Sequence, residues 1–263
     1  MDALVTAGGI PQPGEPLYEY TQGISKALLE VAGKPMIQWV FDALDGAASI
    51  QRVVLIGLES ESYLTSQKLV ELLPNQGGMV DNIRAGIFKL IEIDPEPRPI
   101  LVVSSDIPGI TAEMIEWVVS TVMQSDDDVY YNVIPRQVME KTFPESKRTY
   151  TRLKDMDICG GDMNVVRSSL VTSNDEIWEK LIASRKNVLK QAALIGYDTL
   201  FLLLLRGITL QDAVQRATRR LKITGRAIVC PYAEVGMDLD KPHQLELVRA
   251  FLEGRKGQGA SAN

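Results

Sequence analysis

Ala3-Leu4-Val5-Thr6-Ala7-Gly8-Gly9, then a polar loop, Ser25-Lys26-Ala27-Leu28-Leu29, and finally Ala32-Gly33-Lys34-Pro35-Met36 form the stretch that decides the fold. An apolar run of this kind at an amino end reads as an interior strand of a parallel sheet, since an edge position leaves its backbone groups unpaired. Gly8 and Gly9 follow it directly and let the chain turn sharply against a ligand, because no Cβ intervenes. Free amides at such a turn point at an anion, and Lys26 and Lys34 add cations suited to phosphate. Taken alone, Ala7-Gly8-Gly9 is also the pattern of an ordinary tight connection.

Working outward, Met36 to Leu44 carries Ile37, Val40, Phe41 and Leu44 at helical spacing, and Arg52 to Gly57 reads as a short apolar strand. The opening is therefore β-α-β, which favours a parallel sheet. A helix is expected from Tyr63 to Leu73, ending before Pro74. Gly77 and Gly78 then lead into an amphipathic helix from Met79 to Ile93 that carries Asn82 and Arg84. Pro99 to Pro108 combines a buried strand with Ser104-Ser105-Asp106. Ligands in open α/β sheets bind beyond the carboxyl ends of strands, and a carboxylate there suits a hard divalent cation. The competing reading makes Asp106 a cap for the helix expected from Ala112 to Met123.

The second half is less regular. Val129 to Ile134 reads as a strand, and Pro135 to Lys154 as an irregular basic segment that contains Arg148. Asp157 to Val166, which includes Gly161, Asp162 and Asn164, reads as a further strand. Helices are expected over Ile177 to Leu189, Gln191 to Leu205 and Thr209 to Leu221, the last opened by a capping-box variant of Thr209 with Asp212. A strand at Ala227 to Cys230 precedes Asp238-Leu239-Asp240-Lys241-Pro242 and a helix from Gln244 to Leu252. Asp238 and Asp240, spaced i and i+2 on an extended segment, point the same way.

These motifs together resemble the signature of nucleotidyltransferases with the GT-A-like fold. That group includes the MobA-like guanylyltransferases, the sugar-phosphate nucleotidyltransferases and the cytidylyltransferases. The resemblance implies a three-layer α/β/α sandwich with a mostly parallel, Rossmann-like sheet, the nucleotide-diphospho-sugar transferase fold. It implies nucleotide binding by Ala7, Gly8, Gly9, Gly77, Gly78 and Asn82, and Mg²⁺ held by Asp106 and Asp240 with Asp238 as the alternative. Lys26 takes the place of the phosphate-binding lysine, with Ser25 where the family has proline. Arg148, Gly161, Asp162 and Asn164 fall on the acceptor side, with Asp162 in the usual Asn position. The implied substrates are a nucleoside triphosphate and a small phosphorylated acceptor, with pyrophosphate as the second product.

One departure bears on chemistry. Between Gly9 and Lys26 the chain has no Lys or Arg and carries Glu15 and Glu19, where the resembled family usually has an arginine. Two carboxylates repel a triphosphate unless a cation intervenes. Two other functions are therefore carried alongside: a catalytically silent nucleotide-binding or interaction protein, and a metal-dependent glycosyltransferase. The latter needs a mid-chain Asp-x-Asp, for which Asp155-Met156-Asp157 is the one candidate outside the C-terminal motif and the run Asp126-Asp127-Asp128.

Composition sets the outer bounds. At 263 residues the chain is long enough for a well-buried core in one large domain or two small ones, and its net charge of −6 argues against the basic face that nucleic acid requires. Cys159 and Cys230 follow no zinc-ligand spacing, and Leu200 to Leu205 is too short to span a bilayer. With no leader recognised at the amino end, the expected setting is cytoplasmic. The expected organisation is one domain over residues 1–253 and a disordered tail over 254–263, rich in Gly, Ser and Lys.

Overall fold

The computed structural model describes residues 1–59, 64–173, 178 and 196–260. Strand β1 (Asp2–Thr6) lies inside a mixed, largely parallel sheet. A two-residue ladder, β2 (Glu30–Val31) with β3 (Lys34–Pro35), stands apart from it. β1 pairs in parallel with β4 (Val53–Ile56) on one side and β6 (Pro99–Ser104) on the other, and β5 (Leu69–Leu73) extends the sheet beyond β4. On the far side of β6 come β7 (Val129–Pro135), β8 (Thr151–Arg152), β9 (Asp157–Gly160), β10 (Met163–Arg167) and β11 (Gly225–Val229). β10 is antiparallel between β6 and β7, and β11 joins β7 in parallel.

One turn of helix, α1 (Tyr18–Thr21), lies in the loop after β1. The three layers follow from side-chain alternation. Ala3, Val5, Val53, Leu55, Leu101 and Val103 face one core, which is closed by α2 (Met36–Gly46) and α4 (Ala112–Val122). Leu4, Val54, Ile56 and Ile100 face the other, closed by α3 (Met79–Ile93). Strands buried on both faces read as unbroken apolar runs, which is why β1, β4 and β6 are legible in the sequence. At the amino ends of these strands the buried Asp2 carboxylate accepts two 3.0 Å bonds from Arg52 and one at 3.5 Å from Arg98. The charged network pins β1 to its neighbours at the end opposite the glycine turn.

Other elements differ from the sequence reading. The helix expected to end at Leu73 is instead strand β5, since Leu69 to Leu73 is a short, mostly apolar run that pairs with β4 (Tyr63 itself lies outside the described residues). The basic segment after Pro135 contains α5 (Arg136–Thr142), held by an Arg136–Glu140 pair one turn apart and by buried Met139. Asp157 to Val166 is two strands rather than one. α6 (Ser168–Ser173) follows β10, α7 (Tyr197–Leu204) and α8 (Leu210–Leu221) precede β11, and α9 (Pro242–Ala260) closes the chain. The helix expected from Ile177 to Leu189 lies outside the described residues except Trp178, as does the start of the one expected from Gln191. Thr209 caps α8 by accepting from the Asp212 amide at 3.2 Å while its hydroxyl donates to that carboxylate at 2.7 Å. α9 runs on past Gly254, where composition alone suggests a tail. Among the described residues no helix is long and apolar enough to cross a membrane.

The closeness of α3 to β1 depends on Gly86, where an added Cβ would lie 2.2 Å from Leu4 Cδ1. Gly86→Ala is expected to cost about 1–3 kcal/mol through overpacking, read as a lower urea midpoint at unchanged slope. Adding Leu4→Val should recover part of the loss, and an equal midpoint for Gly86→Ala and wild type contradicts this packing.

Candidate active site

The chain leaves β1 into a turn that three neighbours hold. Ala7 N donates to Ile56 O at 2.8 Å, Ser25 Oγ to Ala7 O at 2.8 Å, and Lys26 N to Gly9 O at 2.9 Å. Gly57, at φ +110°, packs so tightly on the turn that a Cβ there would sit 2.3 Å from Gly8 N. Ser25 also caps a single 3-10 turn over Lys26–Leu28, so replacing the resembled family's proline gives this chain a hydroxyl staple onto the glycine turn. The Lys26 stem crosses Gly9 closely enough that a Cβ on Gly9 would lie 3.0 Å from Lys26 Cε.

From that position the Lys26 ammonium reaches Asp106 Oδ2 at 2.6 Å and Asp240 Oδ1 at 2.5 Å. Burial by itself would lower the lysine pKa, but Asp106 and then Asp240 outweigh it and hold the pKa above its ordinary value. Asp106 follows β6, where Ser105 N extends the ladder to Thr6 O at 3.0 Å. It caps no helix, because the Thr111 hydroxyl caps α4. Asp240 arrives through backbone docking: Leu239 N donates to Asp106 O at 3.0 Å. Its carboxylate is not used as a helix cap either, since Gln244 Oε1 takes the amides of Asp240 at 3.0 Å and Lys241 at 2.9 Å.

Asp162 reaches the site through a bulge. β9 and β10 run antiparallel to β7 as one interrupted strand, with Met163 adjoining β6 and Gly160 paired to Val133. Gly161 and Asp162 are the inserted residues. Asp162 O accepts from Ser104 N and Asp162 N donates to Val235 O, both at 2.9 Å. Bulges of this sort re-aim side chains beside active sites. Burial, and then the Asp106 carboxylate, push Asp162 up to about 7, with Arg148 and Lys26 opposing and Asp240 adding to the rise.

The remaining candidates divide. Arg148 is ion-paired with Asp238, so Asp238 faces the guanidinium while Asp240 faces Lys26. Asn164 spends its amide on the backbone, donating to Gly161 O and accepting from Asn132 N, both at 2.8 Å. Asn82 is buried, accepts from Gln76 N at 2.7 Å and donates to Asn75 Oδ1 at 3.2 Å. Asn75 in turn donates to Gly8 O at 3.3 Å, so the loop bearing Gly77 and Gly78 is tied to the first glycine turn. Gly77 requires its φ of +90°, whereas Gly78 is extended. Lys34 is not with these groups: it pairs with Asp42 and lies 3.7 Å from the Trp39 ring centroid. Asp155 and Asp157, the glycosyltransferase candidates, bond Leu210 N and Arg136 near the outer strands. Sequence pattern does not single out Gly57, Asn75 or Gln244. Gly57 ending an apolar strand is the one signal available for any of them.

A cleft of about 380 Å³ opens beside the turn, lined by Gly9, Pro11, Glu15, Lys26, Asp240 and Lys241 among others. The donor set there fits Mg²⁺, which takes one or two carboxylates and leaves other positions to phosphates and water. Among the described residues Asp106 Oδ1 is buried without a hydrogen-bond partner, and its other oxygen already shares a cation with Asp240. No cluster of three or more His, Cys, Asp or Glu that could hold a metal ion is found among the described residues.

Residues 16–177, more than half of the chain, match the family described as MobA-like NTP transferase domain. The structure is similar to a hypothetical transferase from Thermus thermophilus at 31% identity and TM-score 0.80, over 93% of this chain and 98% of that one. It is similar in fold to a CMP:2-keto-3-deoxy-manno-octonic acid synthetase complexed with CTP, at 15% identity and TM-score 0.60 over 97% of this chain and 98% of that one. A 4-diphosphocytidyl-2C-methyl-D-erythritol synthase from Anaerococcus prevotii shares the fold at 12% identity and TM-score 0.57, over 96% and 95% of the two chains. No curated protein matches the sequence.

The raised Asp162 carboxyl has a consequence for stability. The folded chain keeps a proton between the ordinary value of 3.8 and about 7 that the unfolded chain releases. Stability therefore falls as pH rises across that window and levels off above it. In metal-free buffer, Asp162→Asn is expected to gain melting temperature over wild type at pH 8 and to lose most of that gain at pH 5. A gain independent of pH contradicts the assignment.

Proposed function

This chain belongs to the MobA-like NTP transferase family, and from that premise we propose that it moves a nucleoside monophosphate from a nucleoside triphosphate onto a small phosphorylated acceptor. An acceptor oxygen attacks the α-phosphorus, the bond to the bridging oxygen breaks, and pyrophosphate leaves with that oxygen. The observation that carries the reading is the meeting of Lys26, Asp106 and Asp240 beside the Gly8-Gly9 turn. Ligands in sheets of this type bind beyond the carboxyl ends of the strands, which is where all of these groups sit.

Chemistry of this kind depends on positioning and charge neutralisation more than on covalent help. The Ala7, Gly8 and Gly9 backbone would line the phosphates, and Lys26 would stabilise charge gathering at the α-phosphoryl group. Asp106 and Asp240 would hold Mg²⁺, which when bound neutralises phosphate oxygens and helps orient them. Gly77, Gly78 and Asn82, tied to Gly8 through Asn75, would border the base. On the acceptor side Arg148 and Asp162 would face the substrate. Asn164 would act by holding Gly161, and Asp238 by holding Arg148 rather than as a metal ligand.

The base is left to experiment. One fold neighbour is complexed with CTP, and at 15% identity that likeness speaks for the fold alone. A second reading, a nucleotide-binding protein without turnover, has one observation in its favour. The first loop carries no cation, and Lys26 is already shared between two carboxylates.

Pyrophosphate release measured with each NTP, Mg²⁺ and a panel of sugar phosphates and phosphorylated alcohols separates the two. Turnover with at least one pair is expected, and Asp106→Asn or Asp240→Asn should lower it by about 100-fold or more, in line with loss of a charge-stabilising group. Nucleotide binding with no release for any acceptor favours the silent module. Unchanged turnover in Asp106→Asn removes its metal role.

A further inference from the structure

The cleft beside the glycine turn is short of positive charge for a polyphosphate. Its first-loop rim, residues 10–25, holds no Lys or Arg, and Glu15 lines it. The Glu15 carboxylate accepts from Gln12 N at 2.8 Å and so stays at that rim. The Lys26 ammonium is divided between Asp106 and Asp240 at 2.6 and 2.5 Å. A triphosphate entering here brings several negative charges to a site that already contains two aspartates around one lysine.

The C-terminal segment that lines the same cleft supplies another cation. Lys241 follows Asp240 directly, lines the same cleft, is exposed, and makes no ion pair among the described residues. Its backbone is fixed. The Lys241 amide donates to Gln244 Oε1 at 2.9 Å, the Lys241 carbonyl accepts from Gln244 N and Leu245 N, and the preceding Leu239 is bonded to Asp106. The backbone of this rim has little else to offer an anion, because the Asp240 and Lys241 amides are taken and Pro242 has none. An anion approaching residues 240–242 therefore meets the Lys241 side chain, an exposed ammonium on an anchored backbone.

We infer that Lys241 binds the polyphosphate end of the nucleotide, the portion that departs as pyrophosphate, and supplies from the C-terminal rim the cation that the first loop lacks. The inference rests on the nucleotide reading of this site and adds to it a phosphate-binding residue that acts on the leaving group. Lysine suits the task as a compact charge on a flexible stem.

The test is calorimetric titration of NMP, NDP and NTP, with and without Mg²⁺, into wild type, Lys241→Met and Lys241→Arg. Wild-type affinity should rise with each added phosphate. Lys241→Met should bind NTP roughly tenfold or more weakly, the scale of a hydrogen bond to a charged group, while its NMP affinity and melting temperature stay within twofold and about 1 °C of wild type. Lys241→Arg should recover most of the NTP affinity, and inhibition by added pyrophosphate should weaken in Lys241→Met alone. Equal NTP affinity in wild type and Lys241→Met overturns the inference and leaves the nucleotide reading standing. No NTP binding by wild type overturns both.

Discussion

The site depends on one arrangement of charge: an ammonium held between two carboxylates that lie 80 and 214 residues further along the chain. Taking such groups partly out of water is expensive, and a half-buried lysine beside a single aspartate gains little over a well-packed apolar pair. What makes the arrangement stable is that each member is fixed by its own backbone. Lys26 is set by the Ser25 staple and the bond to Gly9, Asp106 by the continuation of the β1–β6 ladder, and Asp240 by Leu239 and Gln244. The sheet and its loops bring the charges together, and the pairing ties the loops to one another.

The same logic explains the rest of the cleft. A parallel sheet delivers its loops to one edge, so residues remote in sequence meet there without any long-range design beyond strand order. β10 breaks the parallel pattern, and in doing so adds an entry from the other direction. The two-residue bulge at its start brings Asp162 against Asp106, where neither carboxylate is well hydrated. Arg148 and Asp238 form a second pair beside it, which leaves the C-terminal Asp-x-Asp with its two acids committed to different cations.

Much of this was legible in the sequence where one physical signal dominated. The both-faces-buried strands make β1, β4 and β6 readable, the end of β6 places Asp106, and Asp240, well past the end of β11, is marked by the resemblance and its Asp-x-Asp spacing rather than by a strand end. Signals failed where two structures share one pattern. Leu69-Val70-Glu71-Leu72-Leu73 is short and mostly apolar, so periodicity alone does not separate a helix end from an outer strand, and only pairing with β4 settles it. The run from Pro135 hid α5 because its helical stabilisation comes from an Arg136–Glu140 pair and one buried methionine rather than an apolar stripe. Asn164 reads in the sequence as an acceptor-side residue by resemblance, and in the fold both ends of its amide bond backbone groups of Asn132 and Gly161. Asn75 and Gln244 were invisible for a general reason: a side chain that positions another backbone leaves no mark of its own in hydrophobic pattern. Lys34 shows the converse, a cation in a suggestive motif that local partners, Asp42 and Trp39, draw elsewhere.

Asp106 and Asp240 share the Lys26 ammonium beside the glycine turn, and on the proposed function a metal carried by a triphosphate would take up that role. Anomalous diffraction from crystals soaked with Mn²⁺ and a non-hydrolysable NTP analogue tests this directly. A single strong manganese peak is expected at about 2.1 Å from a carboxylate oxygen of each aspartate, near the usual distance for such hard ions, with the Lys26 ammonium turned toward phosphate. A nucleotide bound with manganese away from both aspartates, or seated at another face of the sheet, contradicts it.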